Sequence, residues 1–494
     1  MSRQVRRVAA GLFALFGALF LNLNYVQVLR ADELADHPRN VRGLIREYEV
    51  QRGSILARSA DQPVEVARSV ETDDALRFLR RYPEGPLFGH VTGFSSLVYG
   101  NTEIEAVFDD QLGSGGRQRL VHSVTDLLAG REETGDDVVT TVRTSVQRAA
   151  AAGLGGRKGS VVALDPRNGE ILALWSSPSY DPNTLSGHEP GRIRAHWRQL
   201  QDHPDDPLVN RAIRSLYPPG STFKVVTAAA ALGQGISPDT TFPDPVEQEL
   251  PNTTATIGNF GGGTCNGGSP ISFSQALTVS CNTTFAQLGL RVGERGLVQQ
   301  ARQFGLNRSW QLQMPAVATS AIPADLDQAE LAQSAIGQRD VRVTPLQVAV
   351  ISGAVANGGR LMAPRIVKRV ENFSGGLVER FPPEPLVLDG DARAVSRDVA
   401  ATLREMMTSV VASGTGTGAQ LPGVAVAGKT GTAETDTGEP PTVWFTGFAP
   451  AEDPRVAVAV VLEEGGGQGE AATGGAVAAP IGGQVIRAAL AAEE

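Results

Sequence analysis

A serine and a lysine in the segment YPPGSTFK form the first pair of residues that suggests covalent chemistry, Ser221 and Lys224. Chain breakers up to Gly220 and a helical pattern from Ser221 to Leu232 predict that the serine opens a helix. Residues three positions apart share one helical face, so the lysine is expected one turn below the hydroxyl. A serine becomes a good nucleophile when a neighbouring base takes its proton, and a lysine is such a base only if its ammonium form is destabilised.

The choice of lysine at this position is informative, because the chain has 44 basic residues and only four of them are lysines. Apolar neighbours and the positive end of a helix dipole both lower the pKa of a lysine. An arginine has no such use, since its guanidinium does not deprotonate in proteins. The plainer interpretation is that Ser221 only caps the helix and that Lys224 is solvated. The pair therefore needs support from other motifs.

Two further segments supply polar groups of the kind that such a pair needs. Ser280-Cys281-Asn282 is the only Ser-x-Asn in the chain and places a hydroxyl and an amide two residues apart, which suits proton relay and the binding of a substrate amide. Lys429-Thr430-Gly431-Thr432 holds the only Lys-Thr-Gly and leads into a β-rich stretch. We expect Gly431 to leave a strand edge open to a substrate, because glycine has no side chain. Taken together and in this order, the three motifs are specific.

The elements that position these motifs are visible as strand patterns at both ends of a long region. The β-rich runs Ser160 to Leu164 and Glu170 to Trp175 flank a turn and predict a hairpin. A matching pair, TVWFTGFAP and RVAVAVVLEE, precedes a glycine-rich stretch and a last helix around Ala476 to Ala492. Mostly helical patterns lie between them, one of which begins at Thr344 as its N-cap. We predict an α+β domain whose sheet is closed by its N- and C-terminal segments.

The beginning of the chain has a different composition. Its apolar stretch VAAGLFALFGALFLNLNYVQVL, residues Val8 to Leu29, is long enough to cross a bilayer as one helix. A cleaved signal peptide would show small residues after its apolar core, and NLNYVQVLRADEL offers no convincing site, so a retained anchor is favoured. Arginines flank both ends of the stretch and leave its orientation open. From Ala31 to about Ser145, short mixed segments predict a separate α+β region.

Length, charge and rare residues exclude several classes of function. A chain of 494 residues is expected to form two or more domains. The net charge of -9 argues against a nucleic-acid partner, because phosphate binding needs a basic surface. Cys265 and Cys281 fit either one disulfide outside the membrane or two unlinked core residues. The six histidines form no metal-binding pattern, so neither a metal nor another cofactor is expected.

The motifs also match a known family. Ser-x-x-Lys, Ser-x-Asn and Lys-Thr-Gly resemble the signatures of penicillin-binding proteins and serine β-lactamases. NVRGLIREYEVQRGSILAR, SAIGQRDVRVTPLQVA and VWFTGFAP extend the resemblance over nearly the whole chain, which is similar to class B penicillin-binding proteins, particularly the actinobacterial elongation-type ones. The resemblance implies an α+β fold of the penicillin-binding and serine β-lactamase type, in which an antiparallel sheet packs with a helical subdomain. A smaller α+β domain and one transmembrane helix would precede it.

The resemblance also implies an order of domains and a location. The implied domains, in chain order, are a cytoplasmic tail at 1–7, a transmembrane anchor at 8–29, a pedestal or dimerisation-like domain at 31–145 and the transpeptidase domain at 150–494. The protein would be a single-pass protein of the cell membrane with its catalytic domain on the extracellular side. No glycan-polymerase domain is recognisable, so the implied partners include a multispanning SEDS-type polymerase and other cell-wall synthesis proteins. The anchor and the 31–145 region would contact them.

The function implied by the resemblance is peptidoglycan D,D-transpeptidation. Ser221 would attack the D-Ala-D-Ala bond of a stem pentapeptide while Lys224 takes its proton, and an amine of a neighbouring stem would resolve the acyl-enzyme. Ser280 would pass a proton to the leaving amine, and Asn282 would position Lys224 and the acyl chain. The backbone N–H groups of Ser221 and Thr432 would form the oxyanion hole, each donor typically contributing ~3 kcal/mol. β-Lactam antibiotics would acylate the same serine.

The remaining residues of the motifs receive binding and structural roles from the resemblance. The segment Lys429, Thr430, Gly431 and Thr432 would bind the substrate, with the lysine and the two threonines holding its terminal carboxylate. Cys281 departs from the family pattern, because many relatives have another residue there, and our own hypothesis is that it forms a disulfide with Cys265 that stiffens the loop beside the predicted nucleophile.

Three other functions use the same motifs. A class A β-lactamase adds a downstream Glu-x-x-Leu-Asn, which this chain lacks. A D,D-carboxypeptidase uses the same site with water as the acceptor, and the sequence leaves this alternative open. A non-catalytic β-lactam-binding sensor would need a cytoplasmic output domain within the seven residues before Val8. The transpeptidase is therefore the favoured prediction.

Overall fold

The protein is described here by a computed structural model that covers most of the chain. The described residues are 3–30, 48–60, 62–74, 76–113, 134–309, 311–434 and 439–492. Residues 1 and 2 of the predicted cytoplasmic tail lie outside them, as do residues 31–47 and 114–133 of the predicted pedestal domain.

The apolar N-terminal stretch forms one helix. An α-helix at Arg3–Asn24 continues as a π-helical turn at Tyr25–Leu29. None of its side chains is buried, and many of its large apolar residues are highly exposed. By length and composition this helix is a candidate membrane span.

The longer strands of the N-terminal region belong to a six-stranded sheet that also takes strands from much later in the chain. Its strands, in spatial order, are Leu377–Arg380, Val367–Glu371, Asp137–Arg143, Ile55–Arg58, Val64–Glu71 and Phe78–Arg81. Val367–Glu371 pairs with Asp137–Arg143 in an antiparallel register. The two predicted domains therefore share this sheet. Short helices at Gly85–Thr92, Glu103–Val107 and Asp109–Leu112 and a small hairpin of Ser95–Ser96 with Gly100–Asn101 complete the region.

A second sheet has five antiparallel strands and carries the Lys-Thr-Gly motif on its edge. Its spatial order is Ala427–Ala433, Thr442–Ala449, Val456–Leu462, Gly159–Leu164 and Ile171–Ser177. Both predicted hairpins are confirmed. The pairing of Val456–Leu462 with Gly159–Leu164 confirms that the N- and C-terminal segments of this region close the sheet.

Each face of this central sheet is covered by helices. Alternate strand residues pack against Thr144–Leu154 and Ala479–Ala491 on one face and against Pro345–Ala356 on the other. The last helix is preceded by a π-helical turn at Gly474–Ala478, and together they confirm the helix predicted at this end. Thr344 caps Pro345–Ala356 as predicted, since its hydroxyl accepts a 3.1 Å hydrogen bond from the Gln347 N–H.

The helical subdomain lies between the strands of the two predicted hairpins in sequence. The helices that position the site are Lys224–Gly233, Phe273–Thr278, Asn282–Gln303, Gln328–Ala335 and Arg397–Ser413. The remaining elements are the helices Pro190–Gln201 and Arg211–Arg214, 3₁₀ turns at Pro182–Thr184, Gly220–Phe223, Thr417–Ala419, Glu464–Gly467 and Gly469–Ala471, and the strand pairs Thr241–Phe242 with Ile271–Ser272 and Glu247–Glu249 with Thr256–Gly258.

Candidate active site

The segment that carries Ser221 is held between the central sheet and the helical subdomain. Ser221 lies in the 3₁₀ turn Gly220–Phe223, directly before the helix that begins at Lys224, so the predicted helix starts one short turn later than expected. The Gly220 N–H donates a 2.9 Å hydrogen bond to the Gly337 carbonyl. On the side of the central sheet, the indole N–H of Trp444 donates a 3.0 Å hydrogen bond to the Pro218 carbonyl and holds the segment before Ser221 in place.

Lys224, the first residue of the helix that follows Ser221, is completely buried. Its Nζ donates to the Ser280 backbone carbonyl at 2.7 Å and to Asn282 Oδ1 at 2.6 Å, and it lies 3.4 Å from Ser280 Oγ. Burial, with a smaller contribution from the charge of Lys429, holds the pKa of Lys224 well below its usual 10.5. The Lys224 backbone N–H donates to the Ser221 carbonyl, but the described residues include no hydrogen bond between the two side chains, a feature that is common before substrate binds.

Ser280 lies in a sharp turn between two helices, Phe273–Thr278 and Asn282–Gln303. Its backbone has a positive φ of 63°, which is uncommon for a residue with a side chain. This conformation directs both its carbonyl and its hydroxyl to lysine ammonium groups. The fold therefore brings Ser280 and Asn282 to Lys224. The spacing of the motifs along the sequence could not establish this contact by itself.

Lys429 approaches the same hydroxyl from the central sheet. It is fully buried, and its Nζ lies 2.8 Å from Ser280 Oγ and 2.9 Å from the Thr430 carbonyl. Burial lowers the pKa of Lys429 to about 7. Lys429 is not among the described residues that line the neighbouring groove, and its role in holding a substrate carboxylate stays a prediction.

Position 431 requires glycine because of close packing, whereas the sequence suggested that glycine leaves the strand edge open to a substrate. A Cβ atom at this position would lie 2.9 Å from the Pro219 carbonyl oxygen, 3.0 Å from Thr222 Cγ2 and 3.1 Å from Trp444 Cβ. The missing side chain thus lets the strand approach the segment Pro219 to Thr222 that contains Ser221. It does not open space for a substrate, because this face of the residue is already occupied.

The two cysteines are bonded to each other through their sulfur atoms. Next to them, the buried carboxylate of Asp244 accepts backbone N–H bonds from Cys265 at 2.8 Å and Asn266 at 2.6 Å. Asp244 and the two sulfurs are close enough to suggest a metal site, but sulfurs in a disulfide offer no thiolate ligand. The pairing therefore links the loop at 265 to the residue between Ser280 and Asn282.

A groove of about 820 Å³ opens above these groups. Ser221 lies in its floor, and Ser280 and Asn282 line one side. Thr430 and Thr432 line the strand side, where the Thr430 hydroxyl shares a 2.6 Å hydrogen bond with that of Thr415. Every residue with a predicted catalytic role except the buried Lys224 therefore meets the groove.

The chain matches two family models. Residues 159–487 match the penicillin binding protein transpeptidase domain, and residues 52–138 match the penicillin binding protein A dimerisation domain. The chain is a class B penicillin-binding protein.

The relatives of this penicillin-binding protein include two mycobacterial proteins named peptidoglycan D,D-transpeptidase PbpA. The one from Mycolicibacterium smegmatis is 42% identical over 99% of both chains, and the one from Mycobacterium tuberculosis is 42% identical over 100% of both. Among solved structures, a ceftriaxone acyl-enzyme complex of penicillin-binding protein A from M. tuberculosis has a TM-score of 0.85 at 42% identity and covers 90% of this chain and 100% of that one. An imipenem acyl-enzyme complex of the same protein has a TM-score of 0.83, with the same identity and coverage.

One residue of this penicillin-binding protein's site had no signal in the sequence. Asn259 lies in a glycine-rich stretch, and its Oδ1 accepts N–H bonds from Asn282 at 2.9 Å and Thr283 at 3.2 Å. It therefore caps the helix that begins at Asn282 and fixes the orientation of the Ser-x-Asn motif. Asn259 lies 23 residues before Asn282 in the sequence, so no local pattern indicated that it caps this helix.

Proposed function

We propose that this penicillin-binding protein is a peptidoglycan D,D-transpeptidase that works through an acyl-enzyme on Ser221. The observation that carries the proposal is the cluster below that serine, in which Ser280 Oγ contacts the ammonium nitrogens of Lys429 at 2.8 Å and Lys224 at 3.4 Å. Two relatives that match the whole chain are named peptidoglycan D,D-transpeptidases. Serine acyl transfer needs a nucleophile, a base and a route for protons, and these residues supply all three.

In the acylation step, Ser221 Oγ bonds to the carbonyl carbon of the D-Ala-D-Ala peptide bond. Lys224, whose pKa burial holds well below its usual value, accepts the hydroxyl proton as a neutral amine. Ser280 then relays a proton to the leaving nitrogen, the C–N bond breaks and D-alanine departs. Asn282, hydrogen-bonded to Lys224 at 2.6 Å, holds the base in place.

The groups that bind the reacting carbonyl and the terminal carboxylate come from the strand side. A Cβ at Gly220 would lie 2.8 Å from the Thr432 carbonyl oxygen, so the two backbones run side by side. This adjacency supports an oxyanion hole formed by the N–H groups of Ser221 and Thr432. The hydroxyls of Thr430 and Thr432 would hold the carboxylate, with the charge of Lys429 beneath them.

A neighbouring stem peptide completes the reaction. Its amine nitrogen bonds to the acyl carbon, the ester C–O bond breaks and Ser221 recovers its proton. The same serine would be acylated by β-lactam antibiotics, and penicillin-binding protein A from M. tuberculosis forms acyl-enzyme complexes with ceftriaxone and imipenem.

We also propose that the helix of residues 8–29 anchors the protein in the cell membrane, with a pedestal at 31–145 and the transpeptidase domain at 150–494 outside. The exposed apolar helix is the observation that supports this arrangement. A SEDS-type polymerase and other cell-wall synthesis proteins would contact the anchor and the pedestal.

The test uses the full chain in detergent. It is incubated with a fluorescent penicillin and, separately, with a stem pentapeptide with or without an amine acceptor, next to Ser221→Ala. We expect covalent labelling that the variant loses, and a cross-linked product detected by mass spectrometry. Labelling that persists in Ser221→Ala would remove the serine from its role. Products of hydrolysis alone would indicate a D,D-carboxypeptidase, and labelling without turnover of the peptide would indicate a sensor.

A further inference from the structure

A row of side chains on the Lys-Thr-Gly strand faces the groove and extends past the motif. Thr430, Thr432 and Glu434 line the groove, while the intervening Gly431 and Ala433 do not. Alternation of this kind is expected along a strand, and the strand ends just before Glu434. Its Cα is expected about 7 Å along the chain direction from that of Thr432. Glu434 thus continues the row of groove-facing groups by one position.

Glu434 differs from the other groove residues in its charge. Of the described residues that line the groove, it alone has a side chain with a formal charge. The two lysines of the site, Lys224 and Lys429, are fully buried below the surface. Glu434 is exposed, and within the described part of the chain it takes part in no hydrogen bond or ion pair. A single exposed carboxylate therefore lines a groove whose other described lining residues carry no formal charge.

We infer that Glu434 is a specificity residue for the acceptor of the transfer step, where it attracts the ammonium group of the incoming amine. This inference rests on the proposed transpeptidase function. An alkyl amine of a diamino acid has a pKa of about 10.4 and arrives protonated at neutral pH. Water competes for the same acyl-enzyme at a far higher concentration, so a carboxylate that concentrates ammonium groups beside the ester favours cross-linking over hydrolysis.

The chemistry of the step places Glu434 in binding rather than in bond formation. The bound ammonium first loses one proton to solvent. The neutral nitrogen then bonds to the acyl carbon, the ester C–O bond breaks, and the second proton ends on Ser221 Oγ. Because Glu434 acts in binding, its effect is expected in the KM of the acceptor. Removing the charge is expected to raise this KM about two- to five-fold, a small change because the pair of charges is exposed.

The experiment compares two nucleophiles of different charge in the full chain and in Glu434→Gln. A thioester analogue of the stem peptide forms the acyl-enzyme, and D-lysine, which is cationic, competes with water. Hydroxylamine, which is neutral at the same pH, is tested in parallel. We expect the ratio of aminolysis to hydrolysis to fall about two- to five-fold for D-lysine and to stay within about two-fold for hydroxylamine. Added salt is expected to lower the D-lysine ratio of the wild type and not that of the variant. Glu452→Gln, an exposed carboxylate in a turn outside the groove, is the matched control.

The outcomes separate this inference from the proposed function. An equal loss of ratio with both nucleophiles, or no change with either, overturns the role of Glu434 while leaving the transpeptidase proposal standing. A chain that forms no acyl-enzyme, or that never transfers it to any amine, contradicts the transpeptidase proposal itself.

Discussion

The hydroxyl oxygen of Ser280 lies 2.8 Å from the Nζ atom of Lys429, and both groups belong to motifs that are about 150 residues apart in the chain. This contact joins the helical subdomain to the edge strand of the central sheet. Because Lys224 donates to the Ser280 carbonyl, the turn at this serine connects the two lysines. The charge of Lys429 in turn contributes to the lowered pKa of Lys224. Ser280 therefore links the two lysines in one cluster, and the charge of Lys429 affects the pKa of Lys224.

Replacing Lys224 by arginine tests the need for a neutral base. Lys224→Arg keeps a cation of similar length but cannot become neutral, so acylation by a fluorescent penicillin is expected to fall about 10²- to 10⁴-fold. Stopped-flow or gel-based labelling measures the rate. Lys368→Arg, at a partly exposed lysine of the strand Val367–Glu371, serves as the control and should acylate normally. Wild-type labelling in Lys224→Arg would show that a different group takes the serine proton.

The buried Lys429 predicts how stability changes with pH. Its pKa of about 7 in the folded protein lies below the 10.5 of an exposed lysine, so between these values the unfolded chain binds one more proton than the folded chain. The free energy of unfolding therefore rises with pH in this window, by up to about 1.4 kcal/mol per pH unit from this group. Below pH 7 both states are protonated and the slope from Lys429 vanishes.

Lys429→Met removes this titration and is expected to reduce the slope between pH 7.5 and 9.5 by about one proton equivalent. Urea unfolding at several pH values measures it. Lys158→Met is the matched control, because ion pairing with Glu463 raises the pKa of Lys158 and both states stay protonated over this range. Parallel slopes for wild type and Lys429→Met would mean that Lys429 keeps an ordinary pKa.

The sequence predicted local features well and long-range ones poorly. Turn residues and strand patterns located both hairpins, and Thr344 marked the start of its helix, because these signals lie within a few residues of the element. Nothing local could reveal that Val367–Glu371 joins the sheet of the N-terminal region, or that Asn259 caps the helix at Asn282. The motifs located the groups that the structure brings together around Ser280, but which side of Gly431 is occupied depends on how two distant segments pack.

Gly431→Ala tests the close approach of the edge strand to the nucleophile segment. The added methyl group would meet the Pro219 carbonyl at 2.9 Å, so strand and turn must separate. We expect a loss of about 1–3 kcal/mol in stability and a slower acylation of Ser221, since crowding in a packed region is costly. Thermal unfolding and penicillin labelling measure both effects. Gly233→Ala, where a Cβ has open space, is the control, and equal behaviour of the two variants would contradict the packing argument.

The disulfide between Cys265 and Cys281 predicts a link between redox state and the geometry of the Ser-x-Asn motif. Opening it frees the loop that the carboxylate of Asp244 also holds, and lets the turn at Ser280 move. For a separation of 16 residues, the loss of the cross-link is expected to cost about 3 kcal/mol.

Cys265→Ser should therefore unfold at a lower temperature and acylate more slowly than the wild type. Dithiothreitol should reproduce both effects in the wild type and change nothing further in the variant, because the variant has no disulfide to reduce. Peptide mapping of the protein under non-reducing conditions should find the two cysteines in one linked fragment, whereas two free thiols would refute the pairing.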